Sequence, residues 1–502
     1  MTMKKLRLQK SRLVTLLLFA SAGIIQAHAG GILTNTNQNV AFDRNFAREA
    51  TMEIDGALTN PAGMAWIGEG WHLSFNWQSS FQNRNIDATF APFMQNATSP
   101  ADAEGNKRFK GETVQPLIPS LQAAWQKGNW TFSAVAAYIG GGGKCVFNDG
   151  LPSFESQVAM LPAALTAAGI NSSKYDVDCY MYGRQYVYSL QAGATWRVFG
   201  EPAQDGSVSQ GLALYAGMRV NYLSNKYRAR LCRISADING SMTELSPYFQ
   251  ENATALQNAA DGARQSGNEP VAAAYEQQAA VMAAYAQKTM DKKLDCGQSG
   301  WGVTPIIGAD FRIGKLNLGA RCEFNTHISM KNDTRINTSG LAAYDDGVRS
   351  HADIPSLLTF GAQYDILPSW RVMAGWHHFF DKEACMTGHK ECQLRHDSNE
   401  FTMGTEVKVS DRVTLSCGGQ ITRYGLDDGF QSDMSFTLNS YSAGFGAKVK
   451  LSDRLDLNVA YFWTGYSDYD KSFTNYNGSG LAAKEVYGRT NKVFGAGVNI
   501  RL

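Results

Sequence analysis

The chain has 502 residues, of which 44% are hydrophobic, 11% aromatic and only 18% charged, with 49 glycines, 10 tryptophans and 21 tyrosines. Soluble domains carry about 25% charge, and the composition is equally unlike collagen, a coiled coil or a disordered chain. A net charge of +1 is no footprint for nucleic acid, and a mean hydropathy of −0.27 excludes a bundle of apolar membrane helices.

Lys4, Lys5, Arg7, Lys10 and Arg12 precede a short apolar core over 13–25 and an Ala27-His28-Ala29 cleavage motif, the layout of a secretory signal peptide spanning 1–29. The apolar core is shorter than the ~20 residues a spanning helix needs. No cysteine follows the motif, which argues against a lipoprotein. Removing the segment takes away five cations and no acid, so the net charge falls to −4.

Residues 30–70 do not alternate. They run from Gly30-Gly31-Ile32-Leu33 through a polar stretch to Arg44, Arg48, Glu49, Glu53 and Asp55, and end near Asn60-Pro61-Ala62-Gly63. So compact a mixed-charge segment suits a plug for the wide barrel that begins at 71, whose lumen would leak unless filled.

From 71 the sequence has period 2. Trp71, Leu73, Phe75, Trp77 and Phe81 form one face; His72, Ser74, Asn76, Gln78 and Ser80 form the other. Such runs recur at 119–127, 130–139, 185–199, 211–234, 301–313, 315–329, 354–366, 370–380, 400–410, 412–422, 436–450, 454–466 and 490–502. Short and long connections alternate strictly between them, as in a transmembrane antiparallel β-barrel with short periplasmic turns and long outer loops. The expected fold is therefore all-β, about fourteen strands over 71–502, in a bacterial outer membrane. A soluble sandwich or propeller would also alternate, but its apolar face should be Val, Ile and Leu. Here Trp71, Trp130, Trp196, Trp370 and Trp463 sit near run ends, as interfacial girdles require.

The outer loops carry most of the remaining signals. Strand 3 ends in Gly140, Gly141, Gly142 and Gly143, which read on their own as a flexible loop start or as a strand kink. Residues 151–170 suggest a helix, and 245–294, rich in Ala and Gln with Gly267 and Pro270 midway, suggests two. These helices form either a lid over the outer mouth or a surface decoration. Three loops are bracketed by Cys145 and Cys179, Cys232 and Cys296, and Cys385 and Cys392, and an oxidising exterior permits three staples. Cys322 and Cys417, on lipid-facing positions far apart, are expected to be free.

Inside the barrel, parity turns Arg219 and Arg321 inward near mid-membrane, where a guanidinium could hold a carboxylate head group; a lumenal salt bridge with Glu323 is the competing reading. Four of the eight histidines, His377, His378, His389 and His396, group near 385–392 and raise a haem receptor as an alternative. No G-x-S-x-G elbow or Ser/His pair points to an enzyme, and no cofactor or metal is called for.

The plug ending in Asn60-Pro61-Ala62, the strand count and Trp376-His377-His378-Phe379-Phe380-Asp381 at a strand end resemble the FadL/TodX-type outer-membrane transporters of long-chain fatty acids and aromatic hydrocarbons. The resemblance spans 30–502, apart from the helical insertion at 245–294. It implies a hatch inside a fourteen-stranded barrel, a hydrophobic ligand captured by outer loops, and sideways exit at a kinked third strand. The expected partners are that ligand, outer-membrane lipid and lipopolysaccharide, with the protein acting as a monomer.

Overall fold

The computed structural model describes residues 38–200 and 210–502; the expected signal peptide and residues 30–37 lie outside the described residues. In chain order the strands are β1 (Gly70–Thr89), β2 (Asn106–Lys127), β3 (Trp130–Phe147), β4 (Tyr175–Phe199), β5 (Gln210–Ile238), β6 (Ser241–Glu244), β7 (Lys292–Ile313), β8 (Leu316–Glu323) and β9 (Ser329–Asn337). They continue as β10 (Arg349–His351), β11 (Leu357–Leu367), β12 (Trp370–Phe379), β13 (Ser398–Lys408), β14 (Val413–Arg423), β15 (Ser440–Lys450), β16 (Leu455–Tyr466), β17 (Tyr469–Phe473) and β18 (Ala483–Arg501). β8 runs on into β9 and β10 into β11, while β6 and β17 are short additions beside β5 and β18, so fourteen strands build the wall. β1 pairs with β2 on one side and with β18 on the other, from His72 opposite Arg501 to Thr89 opposite Lys484, and the sheet closes on itself. Closure matters because lipid offers no partner for an open edge.

The outer face is apolar and aromatic. Trp71, Trp130, Trp196 and Trp370 are all exposed near the ends of the short turns. Trp71 lies 6.1 Å from Trp125 and Trp130 lies 6.3 Å from Trp196, ring centre to ring centre, forming part of a periplasmic girdle. Several strands run well past the sequence periodicity: β5 has 29 residues, whereas crossing a bilayer takes about 9–11. Above the membrane both faces meet protein or water, so strict alternation is no longer required and the pattern fades while the ladder continues.

Helices α1 (Val40–Arg44) and α2 (Gly56–Thr59) belong to the N-terminal segment, α3 (Pro152–Ala159) and α4 (Leu161–Ala167) to the loop after β3, and α5 (Leu245–Gln265) and α6 (Glu269–Lys288) to the loop before β7. Leu151, Val158, Ala159 and Leu165 are buried in a large apolar cluster with Phe90, Phe109, Tyr175, Tyr227, Phe436, Tyr476 and Tyr487, which roofs the outer mouth. α5 and α6 instead pair with each other through Ala253, Ala260, Ala272 and Ala279, while at their base Leu245, Phe249 and Ala286 join the roof and Tyr248, Met282 and Tyr285 pack against it. The roof is thus built by 151–167, and the longer insertion projects from it.

The expected loop staples are absent, and all eight cysteines are free. Register explains two of the three. Cys145 stands opposite Gly183, four residues from Cys179. Cys296 stands opposite Tyr227, five residues from Cys232. At ~3.3 Å per residue both offsets exceed the ~7 Å Cα limit for a disulfide. Cys385 and Cys392, at either end of the 3-10 segment Thr387–Gln393, are exposed and unbonded.

Candidate functional site

Residues 38–67 lie inside the barrel and bond to its inward side chains on nearly every side. Asn39 donates to Gln122 at 2.6 Å, Arg44 to Glu406 at 2.7 Å, and Lys448 to Glu53 at 2.5 Å. Asn60 and Trp66 donate to the two oxygens of Asp310, at 2.6 and 2.7 Å. The carbonyl of Pro61 accepts from Thr195 at 2.7 Å, and Ala62 packs on Tyr215 and Ile306.

Room for this segment comes from a band of inward-facing glycines. Gly319, Gly361 and Gly375 stand side by side in the ladders of β8, β11 and β12 and touch Glu49; Gly404 and Gly418 on β13 and β14 touch Asn45; Gly444 and Gly446 on β15 touch Asp43 and Arg44. A side chain at any of these positions would occupy the space of the segment's backbone or polar groups. The sequence reading missed the band, although its signal was present: a glycine at an inward position on successive strands, where a strand normally avoids one.

The second feature is a seam in the wall. β2 and β3 pair from Lys127 opposite Trp130 up to Ser120 opposite Ala137, and again only at Glu112 opposite Val146 and Gly111 opposite Phe147. Between them, 113–119 and 138–145 share no ladder. Pro116 and Pro119 on this edge have no N–H to give, and the Trp77 indole and Ser79 hydroxyl bond the Pro116 carbonyl from β1 instead. On the other side β3 continues through the glycine run, with Gly141 at φ 96° and Gly143 at φ 73°. Its register against β4 shifts at Tyr138, Gly140 and Gly143. Gln115 packs against Gly143, and Val114 and Leu117 are exposed beside the seam.

Opposite the seam the lumen is apolar. Ile139, Val187, Leu223, Ile328, Met330 and Ala352 form one cluster, and Ala137 links it to a second made of Ile54, Ala57, Leu58, Met64, Ala124 and Val135. An apolar strip therefore runs from the seam down to the N-terminal segment.

Arg219 and Arg321 do face the lumen, and both are occupied. Arg219 forks onto Glu323 at 2.6 and 2.8 Å and onto Gln191 at 3.0 and 2.7 Å. Arg321 bonds the Leu58 carbonyl and lies 3.3 Å from Glu323. A carboxylate ligand would have to displace Glu323, so the salt-bridge reading accounts for this pair. The histidine grouping also dissolves: His377 points inward between Glu49 and Glu400, its neighbour His378 bonds Asn399 on the other face, and His389 and His396 bond separate loop groups. The four imidazoles do not converge, and among the described residues no cluster of His, Cys, Asp or Glu could hold a metal.

In the outer loops, Asp433 accepts the Ser153 N–H at 2.9 Å, tying the roof helices to the loop before β15, and burial pushes its carboxyl above the usual range. Lys390 lies 4.9 Å from the Phe430 ring. Burial, then the charge of Lys471, pushes its amine down to about 8.

No protein-family model matches the sequence, and no curated protein matches it. Solved structures do match. A FadL homologue of Pseudomonas aeruginosa superposes with a TM-score of 0.58 at 10% identity, over 94% of this chain and 99% of that one. The toluene transporter TodX of Pseudomonas putida gives 0.52 at 12% identity, over 93% and 99%. The chain has the fold of a FadL/TodX-type outer-membrane barrel.

Proposed function

We propose that this barrel moves hydrophobic molecules passively across the outer membrane, with long-chain fatty acids as its cargo, taken up at the outer loops, held above an N-terminal hatch and released sideways into lipid. The observation that carries the reading is the unpaired seam between β2 and β3 facing an apolar strip in the lumen. A greasy molecule needs only a capture site, a path past the polysaccharide layer and an exit into hydrocarbon, and its partitioning into lipid drives the last step. Residues 38–67, bonded to inward side chains around the lumen, support the hatch reading.

Small aromatic hydrocarbons are the second reading, favoured by the likeness to TodX. Uptake of radiolabelled oleate and of toluene by cells with and without the gene separates the two. Gene-dependent uptake of oleate supports the first reading and of toluene the second; no gene-dependent uptake of either defeats both.

A further inference from the structure

Three cations stand side by side on the outer face of the wall. Lys144 on β3 is directly opposite Arg184 on β4, and Arg184 is directly opposite Lys226 on β5. Lys144 reaches this place because the register shifts around the glycine run add two residues to β3. Lys226 pairs with Asp295, which also lies 3.4 Å from Arg228, and Arg230 pairs with Asp178 at 3.1 Å. Among the described residues no acid pairs with Lys144 or Arg184. Lys144 and Arg228 approach the same Tyr182 ring at 6.0 and 5.9 Å, Arg184 lies 5.6 Å over Tyr186, and the Arg184 Nε is buried without a hydrogen-bond partner.

Like charges directly opposite in a ladder are destabilising. The acids on neighbouring strands are matched by cations of their own: Glu112 by Lys110 at 2.7 Å and Asp291 by Lys293 at 3.1 Å. Asp333 stands between Lys331 and Arg335 on the exposed face of β9, and Asp176 is eight residues further up β4 than Arg184. Around the row itself five cations, Lys144, Arg184, Lys226, Arg228 and Arg230, are therefore set against two acids, Asp178 and Asp295. Tyrosine faces offset part of this excess; no group of the chain neutralises it.

The depth of the row in the membrane follows from the strand geometry. On β4, Tyr186 is ten residues above Trp196 of the periplasmic girdle, about the length that crosses a bilayer, and Arg184 is the next outward residue. Tyr138, Tyr188, Tyr222 and Trp301 stand opposite one another across β3, β4, β5 and β7 as an outer aromatic row. Arg184 and Lys226 lie four residues above it, ~13 Å along the strands, at the level of lipid head groups. Below, Leu190, Met218 and Val220 are exposed on the same face, a bed for acyl chains. Lys144 belongs to the stretch of β3 that has no partner on β2, so the row adjoins the outer end of the seam.

We propose that Lys144, Arg184 and Lys226 dock the head group of a phosphate-bearing lipid of the surrounding outer leaflet, whose acyl chains lie over Leu190, Met218 and Val220. A guanidinium and a phosphate match bidentately, and phosphate supplies the negative charge that the row lacks, whereas a zwitterionic head group brings a cation of its own. The apolar bed directly below distinguishes a lipid from a soluble anion. The site is on the opposite face of the wall from the lumen, and it stands whichever hydrophobic molecule the barrel carries.

The test uses the full-length protein with lipid A in bis-phosphorylated and dephosphorylated forms. In phosphatidylcholine nanodiscs, exchanging the dephosphorylated for the bis-phosphorylated form should slow acylation of Lys144 about threefold more than that of Lys127, which is exposed at the periplasmic end of β2. In detergent, native mass spectrometry should show the wild type binding the bis-phosphorylated form about tenfold tighter. Lys144→Gln/Arg184→Gln should lose that preference, and Arg184→Lys should keep part of it. Equal slowing of Lys144 and Lys127, no preference in the wild type, or a preference that survives in the double Gln variant overturns the site. The labelling needs no variant, so it decides the matter even if the double variant misfolds. At constant ionic strength, displacement of the lipid by millimolar inorganic phosphate would make the row a site for the free anion, and displacement by oleate a site for cargo; either overturns the lipid assignment.

Discussion

Glu49 and His377 meet inside the barrel, Oε1 to Nε2 at 2.5 Å, while Glu400 sits 2.9 Å from the other ring nitrogen. A neutral imidazole has one N–H and one lone pair. With a carboxylate on each side, two protons must be shared among the three groups. This joins the N-terminal segment 38–67 to β12 and β13 at once. Replacing His377 with Ala leaves Glu49 and Glu400 as buried acids without their common donor, and breaking such a pair costs about 3–5 kcal/mol. Planar-bilayer recordings of the variant should show ion conductance absent from the wild type; a variant as tight as the parent would show that this contact does not hold the hatch.

Removal of 38–67 should produce a larger, steady pore in the same recordings. The wall needs no contribution from this segment to close, because β1 and β18 pair along their whole length. Unchanged conductance from a correctly folded deletion protein would refute the plug.

The kink in β3 depends on two backbone conformations closed to most residues. Gly141 and Gly143 have φ of 96° and 73°, and a Cβ on Gly141 would meet the Gln185 carbonyl. A side chain there costs about 1–3 kcal/mol of strain at each site, relieved if the strand straightens and pairs with β2. Gly141→Val/Gly143→Val should fold as a barrel yet lose most oleate uptake, whereas Leu117→Ala, at the rim, should not. Full uptake by the valine variant would place the exit elsewhere.

The helical hairpin meets the roof only at its base, through Leu245, Tyr248, Phe249, Met282, Tyr285 and Ala286. Replacing 250–281 with a short Gly/Ser turn should leave thermal stability within about 1 kcal/mol, as expected for surface changes, with uptake intact. Loss of uptake would give the hairpin a part in capture.

Lys390 sets a pH window for the outer loops. Its amine falls from 10.5 to about 8 on burial, so the folded loop binds fewer protons than the unfolded one between those values. Stability of this region should therefore rise with pH from about 8 to 10.5 and stay flat below 8. Hydrogen exchange over 381–438 should show that rise in the wild type and none in Lys390→Met; identical profiles would remove Lys390 as the cause.

What the sequence determined by itself was the wall. Each of the fourteen alternating runs lies on a wall strand, because lipid on one side and a wet lumen on the other impose period 2 on every residue that crosses, a constraint local enough to read without knowing a neighbour. The same locality explains what was misread. Arg219 and Arg321 were legible as inward-facing, but their commitment to Glu323 depends on register across β5, β7 and β8. The cysteine spacings looked like staples until the β3–β4 and β5–β7 registers set them four and five residues out of step. Arg84 and Arg489 are 405 positions apart in the sequence and adjacent only because the last strand closes on the first. Charge compensation, glycine clearance and the seam are properties of pairs brought together by closure, and only the tertiary structure decides which residues those pairs contain.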